Sequence, residues 1–245
     1  MESFAEKLEW ISPQRLVSSS EEDVVADFFL VLGTIYNDLK NLMFHLKKVN
    51  EDIKELSAGI TPESGECGGI KTHIERQMFA VIHELFETIL KSEGALSTGE
   101  FSAIYNSLNR DFKDSWDRIV KIAKGESLEE EVDLSKVLML IRHHLSAHYS
   151  AKELRRGFID FFYNVSKNPA NEKAYYAIGE NMRKTRFYYC DAAAKQSTYL
   201  QIKRKMDTKD FSERFEKVIN AVNFTIMDLM KIYIKNRPYP REPWS

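Results

Sequence analysis

An all-α chain is predicted by three features of the sequence. Apolar residues recur at three- and four-residue steps through most of its length. No run of convincing length alternates with a strand's period, and no Asn-Gly turn separates alternating runs. Long helices joined by short connections pack antiparallel with their neighbours, so the expected architecture is an antiparallel helical bundle. At 245 residues, 43% hydrophobic and 29% charged, the chain is long enough to bury a substantial core and has the composition of an ordinary soluble globular protein. The expected organisation is an N-terminal arm over 1–20, one bundle domain over 21–236 and a Pro-rich tail over 237–245.

Residues 1–20, with Trp10, Pro13 and Ser18 to Ser20, hold no sustained period and read as an irregular arm or a short helix. Ser20 followed by Glu21, Glu22 and Asp23 has the form of an N-cap with acidic residues in the first turn, where the helix dipole favours them. From Val25 to Leu46 apolar residues then mark one face of a long helix reaching about Leu56. Four glycines and Pro62 between Gly59 and Gly69 predict a loop. A second stripe runs from Ile74 to Leu90 and stops near Gly94. A third runs from Phe101 to Val120 and ends by Gly125. Asp133 is a cap for a fourth helix, over about 134–149, whose apolar face is Val137, Leu138, Ile141, Leu145 and Tyr149. A short aromatic helix (Phe158, Phe161, Phe162, Val165), a long one from about Pro169 to Lys205 and a last one from Phe211 to Ile234 follow. Pro238, Pro240 and Pro243 mark the tail.

Cys67 and Cys190 lie far apart without metal-knuckle spacing, so neither a zinc knuckle nor a disulfide framework is encoded and a reducing, cytoplasmic setting is expected. No leader-like start and no apolar run long enough to span a bilayer is present, so no membrane association is expected. The formal net charge of −2 is unevenly spread. Residues 142–209 hold 14 Lys/Arg against 6 Asp/Glu, a local +8 that leaves −10 for the remainder. A cationic half suits a polyanion-binding surface, although basic helices are also commonly just solvated faces.

That cationic half opens on Leu140-Ile141-Arg142-His143-His144-Leu145-Ser146-Ala147-His148-Tyr149, which places three of the chain's six histidines beside an arginine. Arginine, a polar residue, a few residues and then histidine, inside an apolar helical segment, resembles the signature of the HEPN superfamily of all-α proteins, many of them RNA-cutting toxins and defence nucleases. Arg142, His143 and His148 match the pattern position by position. The resemblance implies a HEPN-like bundle acting as a metal-independent endoribonuclease, with no cofactor, and a homodimer in which two copies of the motif build one cleft. An antitoxin or regulatory protein is a further implied partner.

The residue types fit that chemistry. Cleavage of RNA without metal needs a base for the 2′-hydroxyl proton, an acid for the departing 5′-oxygen and positive charge on the phosphorane. Histidine exchanges protons near neutrality, a contribution of roughly 10²–10⁴-fold. Arginine stays protonated and can grip two phosphate oxygens at once. His148 is thus the expected proton-transfer group, Arg142 the charge stabiliser and His143 an orienting residue. The products would be a 2′,3′-cyclic phosphate and a 5′-hydroxyl. On a straight helix six residues turn through about 600°, which leaves Arg142 and His148 roughly 120° apart. Either the helix is irregular there, or the arginine wraps round, or a second subunit completes the site. Lys152, Arg155 and Arg156, directly after the motif, are the nearest expected RNA contacts. Arg183, Lys184 and Arg186 follow, in a stretch where basic residues interleave with Phe187, Tyr188 and Tyr189, aromatics that are expected mainly to pack.

Competing readings are structural or metal-binding. A lone histidine on such a helix is commonly a core or interface residue satisfied by a hydrogen bond, and the motif would then mark a non-catalytic nucleotide- or protein-binding module. His144 and His148, one turn apart, have the spacing of a metal-binding pair, but no His-Glu-x-x-His or Glu-x-x-His accompanies them and no metal is expected. Phosphate-binding loops, nucleophile elbows and dinucleotide fingerprints are absent.

Overall fold

The computed structural model describes residues 13–17, 23–56, 59, 61–126, 129–146, 150–164 and 173–237. A short helix α1 (Pro13–Leu16) precedes α2 (Val24–Glu55), whose first turn is capped by Asp23 accepting from the Ala26 amide at 2.9 Å. The cap is thus Asp23 itself, three residues later than the sequence places it. The chain turns back into α3 (Pro62–Lys91), which starts with a reciprocal capping box between Thr61 and Ser64 and with proline in its first turn.

The expected loop over Gly59–Gly69 is therefore mostly helix. Two of its glycines, Gly65 and Gly69, answer a packing demand rather than a turn. A Cβ at Gly65 would sit 2.6 Å from the Tyr188 ring, and one at Gly69 would overlap the Arg186 guanidinium and the Asp191 carboxylate. Close approach of the later chain decides these positions, at the cost of helix propensity.

The third expected helix is two. α5 (Gly99–Ser107) and α6 (Arg110–Lys124) are separated at Leu108-Asn109, where Asn109 caps α6, and a one-turn α4 (Glu93–Leu96) leads into them. Gly125, with φ of 68°, ends α6 in the left-handed conformation that glycine adopts without strain. α7 spans Glu129–Ile141, so it begins before Asp133, and continues as a π-helical turn over Arg142–Ser146. α8 (Ala151–Ile159) is capped by Ser150 and also runs into a π turn, Asp160–Asn164. The helix expected from about Pro169 starts only at Tyr188: over 173–187 the chain is irregular, with an isolated Ala177–Arg186 bridge and a single 3₁₀ turn, before α9 (Tyr188–Lys203) and α10 (Thr208–Asn236).

The fold is an all-α helical bundle. α3 is its central member, touching α2, α6, α7, α9 and the π turn after α7. Its Ile82, Leu85 and Ile89 meet Phe29 and Leu32 of α2, Ile119 and Ile122 of α6, Leu134 and Leu138 of α7, and Val222 and Ile226 of α10 in one apolar core. Leu134, Val137, Leu138, Ile141 and Leu145 are completely buried, each worth roughly 1.5–3 kcal/mol of transfer free energy. That apolar stripe fixes which way the motif faces. No described helix is long and apolar enough to cross a membrane.

Candidate functional site

The motif lies where the apolar stripe of α7 passes into the π turn. Ile141 and Leu145 stay in the core while Arg142, half-buried, and His143, exposed, lie between them on the outer side. A π turn bonds to the fifth residue rather than the fourth. It therefore displaces carbonyls from the regular ladder, and α3 supplies substitutes. Arg76, only 6% exposed, donates from Nη1 to the Leu145 carbonyl at 2.7 Å, and Ser146 Oγ donates to the Arg76 carbonyl at 3.1 Å. The Ser150 amide closes the segment by donating to the His144 carbonyl at 3.0 Å. Of the irregularities open to the motif helix, this one is realised before His148, which lies outside the described residues together with Ala147 and Tyr149.

Two turns further along α3, Glu84 forms an ion pair with the Arg142 guanidinium. Side chains there are 30% and 44% exposed for arginine and carboxylate, so solvent screens the attraction and the pair is worth at most about 1 kcal/mol. The His143 ring stands edge-on to that of His83, centroids 6.4 Å apart and planes at 77°. His83 is buried, and its Nε2 finds no partner among the described residues. Glu87 completes the cluster. Its carboxyl is held below the usual carboxylate range chiefly by the hydrogen bond from Lys91, with smaller contributions from His83 and Arg142.

Arg76, His83 and Glu84 are thus the residues that sequence reasoning missed. Thr72, Arg76 and His83 share a buried α3 stripe with Phe79 at steps of four, three and four. Polar residues in helical register with an apolar stripe were the available signal, since buried polar groups need partners.

The six expected RNA contacts divide. Lys152, Arg155 and Arg156 are exposed on α8 and, with Asp160 and Asn164, line a hollow of about 340 Å³. Arg183 and Lys184 are exposed on the 3₁₀ turn, and Lys184 lies 3.2 Å from Glu180. Arg186 is instead held between Glu66, at 2.5 Å, and Asp191, at 2.9 Å, where it ties the 173–187 segment to the start of α3. Of the interleaved aromatics, Tyr188 covers Gly65 and Tyr189 meets Phe158 edge-on, whereas Phe187 is exposed.

Among the described residues no group of three His, Cys, Asp or Glu side chains is placed to share a metal ion; the His144–His148 pair includes a residue outside them. The arrangement at Arg142 can receive an anion. Its guanidinium is accessible, its carboxylate partner is weakly held, and one imidazole stands beside it. Comparison of the chain with protein-family models, with curated proteins and with solved structures yields no match.

Proposed function

We propose that this chain is a metal-independent endoribonuclease of HEPN-like type, with Arg142, His143 and His148 as its reactive set. The observation that carries the reading is the π turn, which keeps Ile141 and Leu145 in the core while leaving Arg142 and His143 on an accessible flank beside Glu84. A phosphodiester arriving there exchanges one weak, screened ion pair for a two-toothed guanidinium–phosphate contact, which is the stronger interaction. Arg142 then stabilises the charge that grows on the phosphorane, and His148 makes one of the two proton transfers, taking the 2′-hydroxyl proton or giving one to the departing 5′-oxygen. A second copy of the chain would supply the complementary acid or base, and Lys152, Arg155 and Arg156 would hold the flanking phosphates.

The test is incubation of the purified protein with mixed end-labelled RNAs in EDTA, beside Arg142→Ala and His148→Ala. Cleavage to cyclic phosphate ends that both substitutions abolish is the expected result. RNA left equally intact by wild type and both variants in every buffer and substrate overturns it. One observation favours a second reading. The Arg142–Glu84 pair already joins two elements of the bundle, as it would in a non-catalytic nucleotide- or protein-binding module. That reading expects Arg142→Ala to lower stability with no RNA cleavage to lose.

A further inference from the structure

A cleft that Arg76 lines, and Arg142 does not, opens beside α3. It holds about 750 Å³ between α2, α3, α9 and α10. Its volume and mostly apolar lining are those of a small-molecule site. The cleft is graded from end to end. Met43 and Leu46 of α2, Phe79 of α3 and Phe211, Phe215 and Ile219 of α10 make one end apolar. At the other end, towards the start of α3, it adjoins a second hollow that shares Thr72, Glu75 and Lys195 and adds Lys71. Here three lysines, Lys54, Lys71 and Lys195, face two carboxylates, Glu51 and Glu75. Lys71 and Lys195 both act on Glu75.

We propose that this cleft binds a medium-chain carboxylate, its hydrocarbon tail over Phe79, Phe211 and Phe215 and its head group between Lys71 and Lys195. The lysine excess at one end complements an anion, and at the other Phe79, Phe211 and Phe215 give an apolar floor for hydrocarbon, with the exposed Lys47, Ser212, Glu216 and Asn220 also lining the cleft. Glu75, 3.9 Å from Lys71, is the carboxylate that an incoming head group would displace from that lysine, and the pair is screened because both side chains are more than a third exposed. The site also adjoins the motif. Arg76 forms part of the cleft wall and donates to the Leu145 carbonyl inside the π turn, so an occupant pressing on Arg76 alters the setting of Arg142 and His143.

Calorimetric titration of the full chain with octanoate, decanoate and dodecanoate tests the site without any RNA. Affinity is expected to tighten about fourfold per added methylene. Ser212→Trp and Asn220→Trp, exposed positions on the cleft rim, are expected to abolish binding with the circular dichroism unchanged. Lys71→Glu with Lys195→Glu is expected to weaken decanoate at least tenfold and to leave decanol unaffected. Saturating decanoate is expected to shift the His143 ring resonances, assigned with His143→Gln. Absence of saturable dodecanoate binding, or binding indifferent to the rim tryptophans, overturns the site. Decanol binding as tightly as decanoate overturns the head group, and an unmoved His143 resonance overturns the link to the motif. None of these readouts depends on RNA cleavage.

Discussion

Arg76 Nη1 reaches the Leu145 carbonyl at 2.7 Å across the junction of α3 and the π turn, and Ser146 Oγ returns a hydrogen bond to the carbonyl of Arg76. A buried carbonyl left without its donor costs about 1–3 kcal/mol. Arg76→Met, close in shape but with no donor, is expected to lower unfolding free energy by that amount in urea denaturation. It should also speed amide exchange over 142–146 more than over α10. Unchanged stability with unchanged exchange would show that the turn holds itself.

Glu84 competes with any phosphate for Arg142. Removing its charge in Glu84→Gln is expected to tighten binding of RNA by up to about fivefold, the equivalent of the ~1 kcal/mol of a screened pair. Filter binding on a non-cleavable 2′-deoxy strand reads this without chemistry. Weaker binding by Glu84→Gln would mean that the carboxylate orients the guanidinium rather than competing for it.

On α8, Arg155→Glu with Arg156→Glu is expected to weaken RNA binding and to flatten its dependence on salt, because each lost phosphate contact removes nearly one unit from the slope of log K against log salt. Helicity should be unchanged, since both side chains are exposed. An unaltered slope would remove this face from the RNA path.

How far the sequence carried the reading varies by element. α2 and α10 were legible because their apolar stripes are long and uninterrupted, so periodicity alone fixes type and approximate ends. Gly65 and Gly69 misled, because a glycine chosen for close contact with Tyr188 and Arg186 looks, one residue at a time, like a glycine chosen for a turn. The start of α9 was placed too early for the opposite reason: helix-compatible residues over 173–187 give way to the Ala177–Arg186 bridge and the ion pairs of Arg186, which are tertiary. At the site, Arg142 and His143 were legible as a local pattern. Glu84, His83 and Arg76 were not, for their partners lie some 60 to 70 residues away and no local rule joins them.

The ends of the described chain are clasped together. Arg237 grips Asp23 with two hydrogen bonds, 2.6 and 3.2 Å, lies 3.0 Å from Glu100 and stacks over Tyr233, whose hydroxyl donates to the Leu16 carbonyl. The Arg237 hydrogen bonds hold the Asp23 carboxyl below its ordinary 3.8. A depressed carboxylate stabilises the fold fully above its unfolded value and loses that contribution as pH falls through the folded one. Stability is therefore expected to be flat from this source above about pH 4 and to decline below 3.8. Asp23→Asn, costing about 2 kcal/mol at neutral pH, should remove that part of the acid decline. An identical acid profile in the variant would exclude the clasp as its cause.

Gly157 sits where α8 crosses α9, and a Cβ there would overlap the Ala193 carbonyl and lie 2.7 Å from the Ser197 amide nitrogen. Two effects oppose each other in Gly157→Ala. Alanine gains about 1 kcal/mol of helix propensity, while backbone-to-backbone overlap costs about 1–3 kcal/mol. Because the obstructing atoms are backbone, overlap is expected to win and the midpoint in urea to fall. A rise in the midpoint would show that the two helices can separate freely.

The π turn at 142–146 also works as a register buffer. Removing one of residues 142–144 lets the turn close as ordinary α-helix with little rotation of Leu145, which then follows Ile141 by three residues instead of four and stays on the core side. What is lost is the displaced carbonyl that Arg76 holds. The turn thus takes up one surplus residue, and the chain uses that residue for a bond between α7 and α3 that a regular helix could not offer.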